Sequence, residues 1–404
     1  MASKKVLNII SEHYPYGTGE QFFDAEVNTL ASYYDEIQLF PLIRKGELRK
    51  LPDNVKVNNV LSDMPRVVSK SATFRDISLI LKIVFFEWRK SDKRAYILKK
   101  MKRWLVSISQ AASFGEEFLK EIDQNKENQF YSFWMNDGAL TLSILKDKGK
   151  IDSFNFRVNG FDIFNERHEA GYMPFRFYNY KHVRKVFVLS SEALNYLKGL
   201  NCFPNKLVLS HYGIYENPTN RLTGTETIRI VSVANVIPLK RIDKIISALS
   251  YLEDLKISWT HFGDGFLMEE LKAKASELSD NIIAEFKGNV PNGEIINTYN
   301  SEPVNLFIHT SETEGLGMAI IEAQSFGIPA VVIGVGGVLD IVSDETGAVL
   351  HPQAEGEEIA AAIRDVLESE KNSNAYREVI KKNIYKKFGA APNYKALFEA
   401  LNVD

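Results

Sequence analysis

Along the chain, short unbroken apolar runs alternate with longer stretches whose apolar positions recur every three or four residues. Val6-Leu7-Asn8-Ile9-Ile10 reads as a buried strand and runs into the turn-rich segment His13-Tyr14-Pro15-Tyr16-Gly17-Thr18-Gly19. Phe22, Phe23, Val27 and Leu30 then share one face at helical spacing. Further strands are predicted at 36–40, 130–133, 154–158 and 183–189, with helices at 138–145 and 192–200 between them. A second alternation places strands at 228–233, 256–262, 282–286, 304–308, 330–333 and 348–350, and helices near 240–251, 266–278, 292–300, 317–327 and 356–368. Strands alternating with helices predict α/β domains with parallel sheets covered on both faces. Residues 216–227, polar with Pro and Gly, read as a linker between two Rossmann-like domains.

Composition narrows the class. The 404 residues are 45% hydrophobic and 25% charged, which excludes disordered and fibrous chains, and no apolar window is long enough to span a bilayer. The one cysteine, Cys202, excludes a disulfide framework and a cysteine-rich metal site and fits a reducing compartment. The run after Lys4-Lys5 is too short for a signal peptide, so a cytoplasmic location is expected. The net charge of −3 conceals an asymmetry: residues 1–215 carry 32 Lys and Arg against 24 Asp and Glu, a net +8, and the rest carry a net −11. Nothing resembles a nucleic-acid-binding motif. The asymmetry and the stretch 77–107 point instead to an anionic membrane surface. Between Lys82 and Arg103 nine cations stand against Glu87 and Asp92, interleaved with Phe85, Phe86, Trp88, Tyr96, Ile97, Met101 and Trp104. Packing of those aromatics into the core is the competing expectation.

Ligands of open parallel sheets bind at the carboxyl ends of the strands, so the strand-to-helix loops are where charge and glycine matter. In Val231-Ser-Val-Ala-Asn235-Val-Ile-Pro238-Leu-Lys240-Arg241, two cations precede a helix whose dipole they oppose, which makes sense if an anion lies between them and the loop. In His261-Phe-Gly263-Asp264-Gly265, glycines allow close approach of a ligand or form a tight turn. In Ser311-Glu-Thr-Glu314-Gly315-Leu316-Gly317-Met318, a loop after an apolar strand opens a helix whose first amides form an anion site, and Glu322 follows two turns on. His13, His211 and His261 match no metal spacing.

The order of these segments resembles the nucleotide-binding domain of family-4 glycosyltransferases, the retaining enzymes of GT-B fold. Glu314 and Glu322 match that family's pair of glutamates eight apart, followed by Phe326-Gly-Ile-Pro-Ala and Gly334-Val-Gly-Gly337; Pro238 to Lys240 and Gly263 to Gly265 match its other loops. In the first half, Pro15-Tyr-Gly17-Thr18-Gly19-Glu20 and Gly160-Phe-Asp162 resemble members that build bacterial surface glycans, lipopolysaccharide or capsule. The resemblance implies two Rossmann-like domains facing each other across a cleft: an acceptor-side domain 1–215, a nucleotide-sugar domain 216–385, and a C-terminal helix 386–404 crossing back to the first. It implies a retaining sugar transfer from a nucleoside-diphosphate sugar, UDP favoured, to a glycan or lipid-linked acceptor, without metal or cofactor. Lys240 and Glu314 are the implied catalytic residues. Arg241, Asn235, Gly263, Asp264, Gly265, Asn289, Val290, Gly315, Leu316, Gly317, Met318 and Glu322 are implied at the donor, and Gly17, Thr18, Gly19, Asn159 and Asp162 on the first domain. Two departures stand out. Asn235 replaces a common arginine, leaving the diphosphate to Lys240 with Arg241 in the lost cation's place, and Asn159 replaces a common histidine, which removes a proton carrier. These departures motivate the alternative of a catalytically weak nucleotide-sugar-binding subunit.

Overall fold

The computed structural model describes residues 4–17, 19–66, 74–200 and 203–402. The chain divides into two compact units, Met1–Tyr212 with Ala391–Asp404, and Gly213–Ala390. Thr18 and Cys202 lie outside the described residues.

The first unit holds seven strands: β1 Lys5–Ser11, β2 Glu36–Pro41, β3 Val55–Val57, β4 Glu127–Ser132, β5 Asn155–Val158, β6 Lys185–Val188 and β7 Leu207–Leu209. They pair in parallel in the order β3-β2-β1-β4-β5-β6-β7. The central strand β1 is buried from Val6 to Ser11, because crossover helices cover both faces of a parallel sheet. The second unit has β8 Ile228–Val233, β9 Ile257–Phe262, β10 Ile282–Gly288, β11 Leu306–His309, β12 Ala330–Ile333 and β13 Gly347–Leu350, in the order β10-β9-β8-β11-β12-β13. In each sheet the chain builds outward to one side of the first strand and then reverses, so β1/β4 and β8/β11 flank the reversals.

Several expectations shift. β11 starts two residues later than the apolar run suggests, because the amide of Val304 is bound 3.1 Å from Asn220 Oδ1 and the ladder begins beyond it. Asn220, in the segment whose composition reads as a linker, is buried, accepts from Arg377 Nη1 at 2.7 Å and donates to the carbonyls of Tyr299 and Glu302. That segment is pinned to the second unit rather than loose. The edge strands β3 and β7, three residues each, are too short to show a period. The basic aromatic stretch folds as the helices Ile77–Lys90, Arg94–Lys99 and Met101–Lys120. The expected core packing holds for Ile80, Ile83, Ile97 and Trp104, which are buried, whereas Ile77, Leu81, Phe85, Leu98 and Val106 are exposed. Among the described residues no helix is long and apolar enough to cross a membrane. The last helix, Ala390–Asn402, lies against the first unit, with Phe398 stacked on Tyr33 at 4.7 Å and Asn402 accepting from Gln129 at 2.7 Å.

A buried ion pair anchors the first unit. Arg157 on β5 places Nη2 2.8 Å from Glu26 Oε2 on the helix Asp24–Leu30, and both side chains are fully buried. Tyr131 donates to Glu26 at 2.8 Å, and Arg157 donates to the carbonyl of Ser210 at 2.6 Å. Burial pushes the Glu26 carboxyl above its ordinary value, against the opposing pull of Arg157. Replacing Arg157 by Ala strands the carboxylate and is expected to cost about 3–5 kcal/mol. An unchanged urea midpoint in that variant would show that the pair contributes nothing.

Candidate functional site

The site in the second unit grows from the two strands flanking its reversal. After β8 the chain passes Ala234–Ile237, makes the single turn Pro238–Lys240 and enters the helix Ile242–Leu249. After β11 it runs through Thr310–Gly317 into the helix Met318–Ser325. The two loops are stapled together: Thr310 Oγ1 donates to the carbonyls of Lys240 and Arg241 at 3.1 and 2.9 Å, and the amide of Glu312 donates to the carbonyl of Leu239 at 2.9 Å. Across this junction Lys240 Nζ lies 2.6 Å from Glu314 Oε2, with both side chains largely buried.

His309, the last residue of β11, places Nε2 3.6 Å from the same carboxylate oxygen. Burial pushes the Glu314 carboxyl up, but the neighbouring His309 ring together with Lys240 outweighs it and holds the group down at about 2. Glu314 is therefore an anion at neutral pH. Ser311 Oγ and His309 Nε2 are buried and have no hydrogen-bond partner among the described residues. Buried polar groups without partners are uncommon, and two beside a charged pair mark a place where a polar ligand would complete the arrangement.

The glycines fix backbone positions. A Cβ on Gly336, which has φ +60°, would lie 1.9 Å from the carbonyl oxygen of Glu314, so the loop 334–337 presses directly on the Glu314 backbone. Gly317 caps the helix Met318–Ser325 with φ +97°, and its carbonyl accepts from the amides of Ile320 and Ile321 at 3.0 and 3.3 Å, so the amides of Met318 and Ala319 are the ones that open the helix toward a ligand. Leu316 is buried, and Met318 opens the helix. The Gly-Asp-Gly segment packs against the loop after β8. A Cβ on Gly263 would lie 1.8 Å from the Ala234 carbonyl oxygen, and one on Gly265 would lie 2.2 Å from that of Val236. These glycines make room for the neighbouring loop, and Asp264 accepts from the amide of Gly265 at 2.7 Å.

Arg241 also departs from expectation. It adopts φ 46°, and Nε, Nη1 and Nη2 donate at 2.9–3.0 Å to the carbonyls of Thr310, Pro352 and Ser311. Its guanidinium is engaged in holding two backbone segments through three carbonyls, so it is not a second free cation beside Lys240. Asn235 is exposed in the loop after β8.

Glu322 forms a second station on the helix Met318–Ser325. It accepts from Asn292 Nδ2 at 3.1 Å, at the start of the helix Asn292–Ser301 and just beyond Asn289 and Val290, which follow β10. Burial pushes its carboxyl up to about 7, with Asn292 opposing. His309 and Asn292 were not foreseen; the place of His309 at the end of a strand beside the Ser311 loop was the available signal. His261 is a core residue. Its Nδ1 faces Ser232 Oγ at 2.8 Å and its Nε2 faces the Ala234 carbonyl at 3.1 Å, and burial lowers it to about 4.

In the first unit, Gly17, at φ +66°, is held by the amide-to-carbonyl bond to Glu47 at 3.0 Å and by Arg49 Nε at 2.9 Å on its own carbonyl. A Cβ on Gly19 would meet no atom within 4 Å. Asn159 and Asp162 were expected to face a ligand, but they are buried and close a capping box on the short helix Gly160–Ile163. Asn159 donates to the carbonyl of Phe133 at 3.3 Å and accepts from Tyr212, so both ends of its amide are engaged. Among the described residues no group of three or more His, Cys, Asp or Glu is arranged to hold a metal ion.

Residues 216–387 match the sequence profile of the family Glycosyl transferases group 1. The second unit is a glycosyl transferases group 1 domain. Sulfoquinovosyl transferase SQD2 of Arabidopsis thaliana is 28% identical over 157 residues, 38% of this chain and 28% of that one. An uncharacterized glycosyltransferase of Haemophilus influenzae is 28% identical over 151 residues, 36% of this chain and 41% of that one. The chain thus spans less than half the length of these curated relatives. Among solved structures, the apo form of the lipopolysaccharide outer core galactosyltransferase WaaB is similar over 98% of this chain and 99% of that one (TM-score 0.70, 13% identity). Sucrose-phosphate synthase of Thermosynechococcus elongatus covers 98% of each chain (TM-score 0.72, 14% identity). Anabaena HepE, solved with UDP and glucose, covers 98% and 99% (TM-score 0.67, 12% identity). These likenesses establish the fold as GT-B with two Rossmann-like domains.

A stability test isolates Glu322. Its folded form keeps a proton that the unfolded chain, titrating near 4.5, releases, so stability is lost as pH rises through about 7. Glu322→Gln is expected to be more stable than the parent at pH 8, on the order of 2–3 kcal/mol, and indistinguishable from it near pH 4. Denaturant midpoints at the two pH values check this, and a difference that does not change with pH would place Glu322 in an unperturbed setting.

Proposed function

We propose that the protein is a retaining glycosyltransferase of the family-4 kind. It would move a sugar from a nucleoside-diphosphate sugar, UDP favoured, to a glycan or lipid-linked saccharide in surface-polysaccharide assembly. The observation that carries this reading is the Lys240–Glu314 pair, set across the strand reversal of a glycosyl transferases group 1 domain and backed by the unmatched polar atoms of His309 and Ser311. A diphosphate and a sugar together satisfy that arrangement: the diphosphate takes the ammonium of Lys240 and the first-turn amides at Met318, and the sugar hydroxyls donate to Glu314. Glu322, beside Asn292, takes the ribose, with Asn289 and Val290 at the base. UDP bound by the similarly folded HepE supports the choice of nucleotide.

In this reading the departing diphosphate receives the developing charge from Lys240 and the helix amides, fixed positive groups that need no reorganisation as charge builds. The acceptor hydroxyl attacks the face the diphosphate leaves, and the leaving group takes its proton. Asn159 has no part in proton transfer, and no metal is required of the chain's own residues. Lys240→Ala is expected to lower turnover by about 10²–10³ while the protein stays folded. Near-parent turnover would remove Lys240 from the mechanism, whereas tight UDP-sugar binding without turnover in the parent protein would favour the nucleotide-sugar-binding subunit.

We also propose that the first unit docks on an anionic membrane surface. The helix Ile77–Lys90 exposes Ile77, Leu81 and Phe85 on one stripe, with Lys82 and Arg89 beside it, and Arg94 lies 4.9 Å over the Trp88 ring. Apolar side chains flanked by cations suit the headgroup boundary, each cation contributing about 1 kcal/mol. Flotation with vesicles containing phosphatidylglycerol is expected to carry the protein, and Leu81→Ser with Phe85→Ser to abolish this. Equal recovery with neutral phosphatidylcholine vesicles would exclude the electrostatic part.

A further inference from the structure

The first sheet has its own reversal, between β1 and β4, and a cavity of about 400 Å³ opens there, lined entirely by residues of the first unit. Crevices at such reversals are where open α/β sheets bind ligands, and the size falls within the range of roughly 300–1,000 Å³ usual for small-molecule sites. Glu12 follows β1, and Asn136 and Asp137 follow β4. Asn136 Nδ2 donates to Glu12 Oε2 at 3.1 Å, and Asn136 caps the helix Asp137–Asp147 through Oδ1 at 2.9 Å from the amide of Gly138. Gly138 permits this close approach, because a Cβ there would lie 2.7 Å from Ile10 and 2.8 Å from Ser132 Oγ.

Three features of the lining point to a ligand. Asp137 is half-buried, and its carboxylate has no hydrogen bond or ion pair among the described residues; burial raises it, with the charges of Arg66, Glu12 and Arg103 acting on it in turn. Arg103 is exposed at the same cavity and makes no ion pair among the described residues, while Lys100 is paired with Glu169 at 2.8 Å. Trp104, packed on Phe175 at 4.7 Å and on Tyr172 at 6.0 Å, adds an apolar wall.

Carboxylates only accept hydrogen bonds, and guanidinium and ammonium groups only donate them. A ligand matching both must present hydroxyl donors and an anionic group, with an apolar face for the ring wall. We propose that this cavity binds the acceptor saccharide and that this saccharide is anionic: its hydroxyls donate to Glu12 and Asp137, and its acidic group is held by Arg103. This rests on the glycosyltransferase reading and adds the acceptor's chemical class and position.

Calorimetric titration of the full chain with methyl glucoside, methyl glucuronide and glucose-6-phosphate tests it, with the thermal shift by UDP recorded on every sample. The charged probes are expected to bind at least about tenfold more tightly than the neutral one, the worth of one charge-assisted contact, and whichever of carboxylate and phosphate binds better identifies the acidic group. Arg103→Gln should remove that preference and Asp137→Asn should weaken all three sugars, with the UDP shift retained in both. Equal affinity for charged and neutral sugars, or unchanged preference in Arg103→Gln, overturns the proposal while a UDP shift keeps the transferase reading standing. No UDP shift with the sugar preference intact removes the transferase reading and leaves the anionic-saccharide site.

Discussion

The reversal of strand order governs this protein. A right-handed crossover must send successive helices to one face as the sheet grows in one direction and to the other face when growth turns back. Between β1 and β4, and again between β8 and β11, neighbouring strands therefore send their chains to opposite faces, and the carboxyl ends part around a crevice. Lys240 and Glu314 come from the loops on either side of one such parting, and Glu12 and Asp137 from either side of the other. Both sites are products of connectivity before they are products of side-chain chemistry.

Connectivity supplies the position, and backbone packing supplies the stiffness. Gly336 lets one loop lie on the carbonyl of Glu314, Gly263 and Gly265 let another lie on Ala234 and Val236, and Arg241 ties two segments by three carbonyls. Of the two expectations for Gly263 and Gly265, a close ligand or a tight turn, the packing accounts for them by the neighbouring loop, and Arg241, expected as a second cation for the diphosphate, holds backbone carbonyls. A charge so committed cannot be told from a free one in a sequence, because its acceptors are main-chain carbonyls contributed by residues of any type.

What the sequence made legible follows from this. The strand-and-helix alternation was plain because buried parallel strands are unbroken apolar runs, and the helix 356–368 appears where its period placed it. Lys240 and Glu314 were legible because each sits in a strand-to-helix loop, Lys240 as one of two cations before a helix and Glu314 beside Gly315 and Gly317. Asn220 was not, because a polar stretch with Pro and Gly looks alike whether it is solvated or, as here, its amide satisfies buried backbone groups and Arg377. The first-unit cavity was equally hidden. Glu12, Arg66, Arg103 and Asp137 are scattered over the first third of the chain with no spacing to connect them, and only the sheet order brings them together.

The ion pair between Lys240 and Glu314 gives the resting site an appetite for whole molecules over fragments. Because each partner already satisfies the other, a lone inorganic phosphate that took Lys240 would leave the carboxylate of Glu314 stranded, and a free sugar that took Glu314 would leave the ammonium stranded. A ligand that bears both groups, joined, compensates both losses at once. After the bond between them is cut, the nucleotide alone no longer does so, and re-forming the pair favours its departure. On the proposed reaction, the same contact that shields the empty site from the abundant anions of a cell also helps it to turn over.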